Sequence, residues 1–526
     1  MRFKLQQLRL LKVSAFLLLI NANAFTMGLS EKEQPLPDQG EWWSNRVFYE
    51  IFVRSFYDSD GDGIGDFQGI IAKLDYLQED LGINGIWLMP INQSPSYHGY
   101  DVSDYYDVNS EYGTLEDYKE LIDECHKRDI KIIMDLVMNH SSIEVNWFNE
   151  NKDWYIWNSE KTPSTGPWGQ NIWYPKDGEY YYSVFDRIMA DLNYTNNEVT
   201  EEMHNIIRFW LETGVDGFRL DALKYMVETD GQLENTEETH QWLEDFYNYY
   251  KSINPAALTV GEVWDSMENI LPYSRDETDI CFEFSLADAM VSAVKTARKG
   301  NLIAAWNRVL ENYDKNDYAT FLTNHDQNRL VSQLMNSREL AKNAAFLLLT
   351  SPGTPFIYYG EEIGMRGVKP DEDIRRPFHW FEGPRDGFTT GFPWRWQESS
   401  FPDSLADQME DDSSLFHTYK DLIDLRKSYR ALRTGDMKLL TTSSPSVFAF
   451  IREDSDQTVL TLINLGKREL GDVSVELDDS YGNRKVKQLY WSSNTARPAP
   501  SRKTESGQWT VFSQLEGFGA SVLLLE

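Results

Sequence analysis

From Trp42 onward the chain alternates short, strongly apolar runs with stretches whose apolar residues recur every three or four positions. Val47–Val53, Gly85–Pro90 and Lys131–Val137 read as strands, and the unbroken apolar run at Gly85–Pro90 suits burial on both faces. Ile70, Ile71, Leu74 and Leu77 mark Phe67–Leu81 as an amphipathic helix, and Glu116–Arg128 reads as another. The rhythm then breaks. Residues 139–195 are rich in Trp, Tyr, Asn, Gly and Pro without a sustained period. They are too aromatic to remain solvated, which predicts a small folded insertion rather than a linker.

Alternation resumes with helix Glu201–Glu212 and strands Gly217–Ala222, Leu258–Val263, Cys281–Leu286 and Thr320–Asn324. Helix Leu340–Leu349, strand Thr354–Tyr359 and helix Leu415–Arg426 close the series. Eight strands with intervening helices predict an α/β fold. It is a (β/α)₈ TIM barrel over 42–138 and 196–430, with a small domain (139–195) inserted after the third strand. From 431 to 526 short strands follow one another at Val447–Ile451, Val459–Ile463, Val473–Leu477, Val486–Tyr490 and Ala520–Leu525. These predict a C-terminal antiparallel β-domain.

The first 24 residues do not belong to this pattern. Arg2, Lys4, Arg9 and Lys12 precede the apolar run Val13–Ile20, and Ala22-Asn23-Ala24 has the small-x-small form of a cleavage site. A signal peptide over 1–24 is expected, with the mature protein secreted or periplasmic. The apolar run is too short to span a bilayer, so no membrane anchor is expected after cleavage.

The 526 residues carry 84 acidic and 50 basic side chains, net −34, which argues against a general nucleic-acid binder. Such a surface is compatible with a saline habitat or with ordinary solubility. Cys125 and Cys281 fall in different elements, so disulfides do not organise the fold. Aromatic residues make up 14%, enough to serve both a core and flat, hydroxyl-rich ligands such as sugars.

In such barrels the chemistry gathers at the C-terminal ends of the strands. The third strand ends in Asp135-Leu-Val-Met-Asn139-His140 and the fourth reads Gly217-Phe-Arg219-Leu-Asp221-Ala222-Leu-Lys224-Tyr225. The fifth ends in Gly261-Glu262-Val-Trp264-Asp265 and the seventh in Thr323-Asn324-His325-Asp326. Each acidic residue alone could cap or solvate a strand end. Asp221, Glu262 and Asp326 together, with Arg219 and two histidines, predict convergence on one mouth.

These four segments resemble the signature regions of the α-amylase family of glycoside hydrolases. Gly85-Ile-Trp-Leu-Met-Pro90, Met189-Ala-Asp191-Leu-Asn193 and Gly353-Thr-Pro-Phe-Ile-Tyr-Tyr-Gly-Glu361 extend the likeness over 42–526. The resemblance implies that Asp221 is the nucleophile, Glu262 the acid/base and Asp326 the residue that binds sugar hydroxyls and stabilises the transition state. It further implies sugar contacts from His98, Tyr100, Asp101, His140, Arg219, Lys224 and His325. Independently, glycosidic cleavage with retention needs one protonated and one ionised carboxyl group about 5–5.5 Å apart.

Asp58, Asp60, Asp62 and Asp66, with glycines between them, predict oxygen ligands for one hard cation, Ca²⁺ rather than Mg²⁺. A solvated acidic turn is the alternative. The loop is similar to a metal loop of part of the family, which implies the Ile64 carbonyl as a further ligand. The family's other calcium site implies Asn139 and Asp191, although Tyr225 stands where many members carry a histidine that ligates through its carbonyl.

The expected activity is hydrolysis of α-1,4-glucosidic bonds in starch or maltooligosaccharides by a monomer. The alternatives are an exo-acting α-glucosidase or oligo-1,6-glucosidase, a cyclomaltodextrinase or neopullulanase type, and, more remotely, a non-catalytic carbohydrate-binding relative.

Overall fold

The structure is a computed structural model that describes residues 41–162, 164–229, 231–313, 317–396, 403–482, 484–492, 498–503 and 509–526. The expected signal segment, 1–24, lies outside these residues. Eight parallel strands close a barrel: β1 (Phe48–Ile51), β2 (Gly85–Leu88), β3 (Lys131–Leu136), β4 (Gly217–Leu220), β5 (Leu258–Gly261), β6 (Ile280–Phe282), β7 (Tyr318–Thr320) and β8 (Thr354–Tyr358). Neighbours follow chain order around the ring, and β8 pairs with β1 to close it.

The barrel closes tightly because two glycines occupy the crowded pairs. A Cβ at Gly217 would stand 2.0 Å from the Leu258 carbonyl oxygen of β5, and one at Gly85 would enter the Phe48 ring. Inside, aromatic rings form much of the filling. Phe48 stacks on Phe356 at 4.6 Å, Phe282 meets Phe356 at 5.0 Å, and Trp87 packs on Phe282 at 5.5 Å. Trp87 ends this column at the mouth, where Arg219 lies over its ring.

The surrounding helices start at side-chain caps that satisfy free N–H groups. Thr114 and Asp117 form a capping box for Leu115–Lys127, and Asn196, Thr236, Ser337 and Ser414 cap Asn197–Thr213, Glu237–Ile253, Arg338–Thr350 and Leu415–Ser428. Glu237–Ile253, Phe284–Thr296 and Gly300–Asn312 are further helices between the strands.

Several boundaries differ from expectation, among them these three. The helix foreseen over Phe67–Leu81 is an α-helix only at Phe67–Ile71, followed by a wider π turn at Tyr76–Leu81 whose Tyr76 hydroxyl reaches buried Glu362. Strand β6 stops at Phe282, because buried Glu283 accepts from Tyr313 and a helix begins at Phe284. Strand β7 begins at Tyr318, earlier than expected, and ends at Thr320, which leaves Thr323–Asp326 in the loop at the mouth.

Residues 139–195 carry a three-stranded sheet (Trp157–Asn158, Glu179–Tyr182, Trp173–Lys176) and a ribbon pairing His140–Ser142 with Met189–Asp191. The C-terminal part is a β-sandwich. A five-stranded sheet orders Asp436–Leu439, Val447–Glu453, Thr458–Asn464, Ala520–Leu525 and Val486–Trp491, and a second sheet holds Leu470–Val475, Trp509–Leu515 and Pro498–Lys503. Leu460, Leu462 and Leu523 pack with Val473, Val475 and Leu515 between them.

Two buried arginines join helix, barrel and sandwich. Arg426 donates to the carbonyls of Leu349, Ser351 and Gly353, and Arg452 to those of Thr350 and Gly435. They take up carbonyls that helix Arg338–Thr350 leaves unpaired at its C-terminal end. Arg426→Met should therefore lower stability by about 3 kcal/mol, since the Leu349 and Ser351 carbonyls lose their charged donor in a dry site. An unchanged denaturation midpoint would show that this cap contributes nothing.

Candidate active site

Arg219, on β4, is 1% exposed and sits between three carboxylates. Its Nη1 donates to Asp135 at 2.8 and 3.0 Å and to Asp221 Oδ1 at 2.6 Å, and its Nη2 lies 2.6 Å from Glu262 Oε2. Parallel pairing of β3, β4 and β5 sets Arg219 beside Asp135 and Val260, so one guanidinium spans three strand ends. The Ala222 N–H also donates to Glu262, at 3.1 Å. Ala222 itself takes a left-handed backbone (φ 53°), which turns the chain sharply after Asp221.

Burial dominates the electrostatics and Arg219 opposes it. The carboxyls of Asp135 and Asp221 are each pushed up to about 6, by desolvation first, with Arg219 pulling them down. Glu262 is pushed to about 7, by desolvation and then by the charges of Asp221 and Asp326, against Arg219. Burial also acts on Asp326, but His325 and Arg375 outweigh it and hold this carboxyl well below the usual range. Arg375 Nη2 donates to Asp326 at 2.8 Å.

A second group supports the first from below. The His325 ring contacts Glu50 through Nδ1 and the Tyr100 hydroxyl through Nε2, the latter at 2.6 Å, and that hydroxyl donates to Asp135 at 3.2 Å. Burial raises Glu50 far above the carboxylate range and drives His325 far below its usual value. One chain of contacts thus links Glu50, through His325 and the Tyr100 hydroxyl, to Asp135.

His140 is buried, its pKa lowered to about 3 by desolvation, and its Nε2 has no partner among the described residues. His98 receives the Tyr100 backbone N–H, and burial lowers its pKa. Asp101 lies deeper: it is fully buried, and Ser94 and Ser96 both donate to its Oδ1. Lys224 pairs with Glu234 at 2.9 Å and Asp265 at 3.3 Å, at the rim rather than the centre. Asp135, Glu50, Arg375 and Trp87 are not among the expected site residues. A glutamate inside the apolar run of β1 is a readable signal; nothing in the spacing points to Arg375.

In the acidic turn, Asp58, Asp60 and Asp66 bring carboxylate oxygens within 4.8 Å of one another. Asp62 is exposed and accepts the Ile64 N–H, so the Ile64 carbonyl is the part of that residue left to ligate. Asp58 accepts the N–H groups of Asp60, Gly61 and Gly63, and Asp66 caps helix Phe67–Ile71. The turn is braced by the loop after β8. Phe388 accepts the Asp58 N–H, Trp394 donates to the Gly63 carbonyl, and the Trp394 ring stacks on Tyr97 at 5.4 Å, next to His98.

A second carboxylate pair lies where the insertion meets the barrel. Asn139 Nδ2 donates to Asp191 at 3.0 Å, while Asn139 Oδ1 and Glu228 Oε1 are buried without partners among the described residues. Burial raises Asp191 to about 7, and burial and Asp191 together raise Glu228 well above its usual range. Sequence reasoning misses Glu228, which no motif marks.

A family profile described as the alpha amylase catalytic domain matches residues 50–435. Alpha-amylase 3 of Dictyoglomus thermophilum is 41% identical over 443 residues, covering 81% of this chain and 86% of that protein. An oligo-1,6-glucosidase of Bacillus cereus is 32% identical over 517 residues, covering 82% and 92%. Among solved structures, an alpha-amylase from H. orenii superposes with a TM-score of 0.81 at 37% identity, over 91% of this chain and 99% of its own. The trehalulose synthase of Pseudomonas mesoacidophila MX-45 gives 0.79 at 28%, over 93% and 100%.

The two central carboxyls titrate in an order that predicts a pH profile. A reaction needing Asp221 ionised fails as pH falls below about 6, and one needing Glu262 protonated fails as pH rises past about 7. The dependence of kcat/KM on pH should be bell-shaped with its maximum between these values. A rate flat from about pH 5 to 9 would dissociate the two groups from the chemistry.

Proposed function

Since this chain belongs to the α-amylase family of glycoside hydrolases, we propose that it cleaves α-1,4-glucosidic bonds of starch and related α-glucans with retention of configuration. The observation that carries this reading is the pair of carboxyls, Asp221 and Glu262, held close together on the two terminal nitrogens of Arg219. Retaining chemistry uses such close spacing. Asp221, the more acidic of the two, attacks the anomeric carbon while Glu262 protonates the departing glucosidic oxygen. Glu262, now a base, takes a proton from the incoming water, which releases the sugar from Asp221. Asp326, kept ionised by Arg375, hydrogen-bonds the sugar hydroxyls and balances the positive charge that develops on the ring. Tyr100, fixed by Asp135 and His325, offers its ring to the reacting sugar, and His140 Nε2 is free to bond a hydroxyl.

The relative at 41% identity supports the α-1,4 reading, and the signal-like segment 1–24 supports export to where polymeric glucan is met. A second reading, an exo-acting oligo-1,6-glucosidase, is favoured by relatives of that name at 32–33% identity. Soluble starch, pullulan, isomaltose and p-nitrophenyl α-glucoside separate the two. Endo action predicts a rapid fall in starch viscosity with mixed maltooligosaccharides; glucose alone from the first minutes would replace it with the exo reading. Asp221→Asn should lower turnover on every cleaved substrate more than about a thousandfold.

Two places fit calcium. In the acidic turn, Asp58, Asp60 and Asp66, with Asp62 and the Ile64 carbonyl nearby, crowd like charges that a cation would neutralise. At the insertion, the Asn139 oxygen and the Asp191–Glu228 pair offer hard oxygen donors in a buried site. Calcium there would be structural, stabilising the fold by about 2.7 kcal/mol when free ion stands about a hundredfold above Kd. The wild-type protein should melt at lower temperature in EDTA than in millimolar calcium, and Asp60→Asn should weaken that dependence. Identical melting of the wild type in both conditions would remove calcium from the structure.

A further inference from the structure

Trp168, in the insertion, leaves 62% of its surface exposed, yet its turn is held firmly. Gly169 donates its N–H to Gly166, Gly166 to Gln170, and Trp168 to the Gln170 side chain at 2.9 Å. Gln170 Nε2 in turn donates to the Val184 carbonyl, one residue before Phe185. Gly169 adopts φ +78° with open space around it, the left-handed backbone that a turn of this kind reserves for glycine.

A lone exposed ring is ordinary, but this one continues a row. The Trp168 ring lies 5.7 Å from Phe185 and 6.1 Å from Tyr225, Phe185 lies 5.4 Å from Tyr225, and Phe185 reaches the His140 ring at 5.2 Å. Tyr225 follows Leu223, whose N–H donates to the Glu262 carbonyl at 3.2 Å, and Lys224, which pairs with Asp265 at 3.3 Å. The row therefore leaves the centre on the side of the proton donor, where the departing part of a cleaved chain lies. The faces of α-linked glucosyl units carry C–H groups that pack on an indole, and an indole already fixed by its turn gives up little entropy in binding.

We propose that Trp168, backed by Phe185 and Tyr225, is a stacking platform for a glucosyl unit on the leaving side of the chain, past the sugar next to the cleaved bond. It thereby sets a preference for long substrates. This rests on the α-glucan hydrolase reading of the site. Binding of maltotriose and maltoheptaose, measured calorimetrically in the Glu262→Gln protein, tests it. Maltoheptaose should bind about tenfold tighter than maltotriose, Trp168→Ala should remove most of that margin, and Trp168→Tyr should restore much of it. A margin that survives Trp168→Ala, an equal loss for both sugars, or no margin at all would overturn the platform. Turnover of starch by the unsubstituted protein decides the hydrolase reading separately, so a protein that digests starch but keeps its margin in Trp168→Ala rejects the platform alone.

Discussion

Too much negative charge is confined in too little water at the mouth of this barrel, and the site follows from how that is resolved. Glu50, Asp135, Asp221, Glu262 and Asp326 crowd around two guanidiniums, Arg219 and Arg375. Unpaired charge cannot be buried at such density, so the excess is taken up as protons. The contacts decide where those protons sit. Asp326, beside Arg375 and His325, stays ionised; Asp221 shares Arg219 and titrates near 6; Glu262 feels the other acids and titrates near 7. Two carboxyls that share one buried cation are thus separated in where they titrate.

That separation depends on rigid placement of Arg219, and the barrel supplies it. The aromatic column inside the strands ends at Trp87, which carries the guanidinium on its face and meets His325 edge-on at 5.6 Å. Pairing of β3, β4 and β5 then fixes which carboxylates the arginine can reach. The tight approach at Gly217 is part of the same arrangement, because any side chain there would push β4 from β5.

The loops above the barrel are tied to one another. The Phe388–Trp394 segment grips the acidic turn at Asp58 and Gly63 and presents Trp394 to Tyr97, in the loop that carries His98 and Tyr100. The acidic turn follows β1, the His98 loop follows β2 and their common brace follows β8, so one set of contacts locks three connections together. The insertion contributes Phe185 against His140 on the other side.

Much of this was legible in the sequence because it depends on local pattern. Continuous apolar runs separated by helical periods define the barrel, since strands buried on both faces admit few polar residues. Asp221 and Glu262 stood out because strand ends are where a barrel exposes chemistry and each directly follows a strand, whereas Asp326 lies in the loop beyond β7. The ends of β6 and β7 and the π turn at Tyr76 were not legible. Long-range partners act at two of these places, Tyr313 on Glu283 and Glu362 on Tyr76. Arg375 and Glu228 belong to the same class. Each is an unremarkable residue in its own segment and acquires its role only against Asp326 and Asp191. Sequence determined which chemistry the chain carries; the tertiary structure alone decided which charges share a cation and which share a proton, because that depends on burial and distance across segments far apart in the chain.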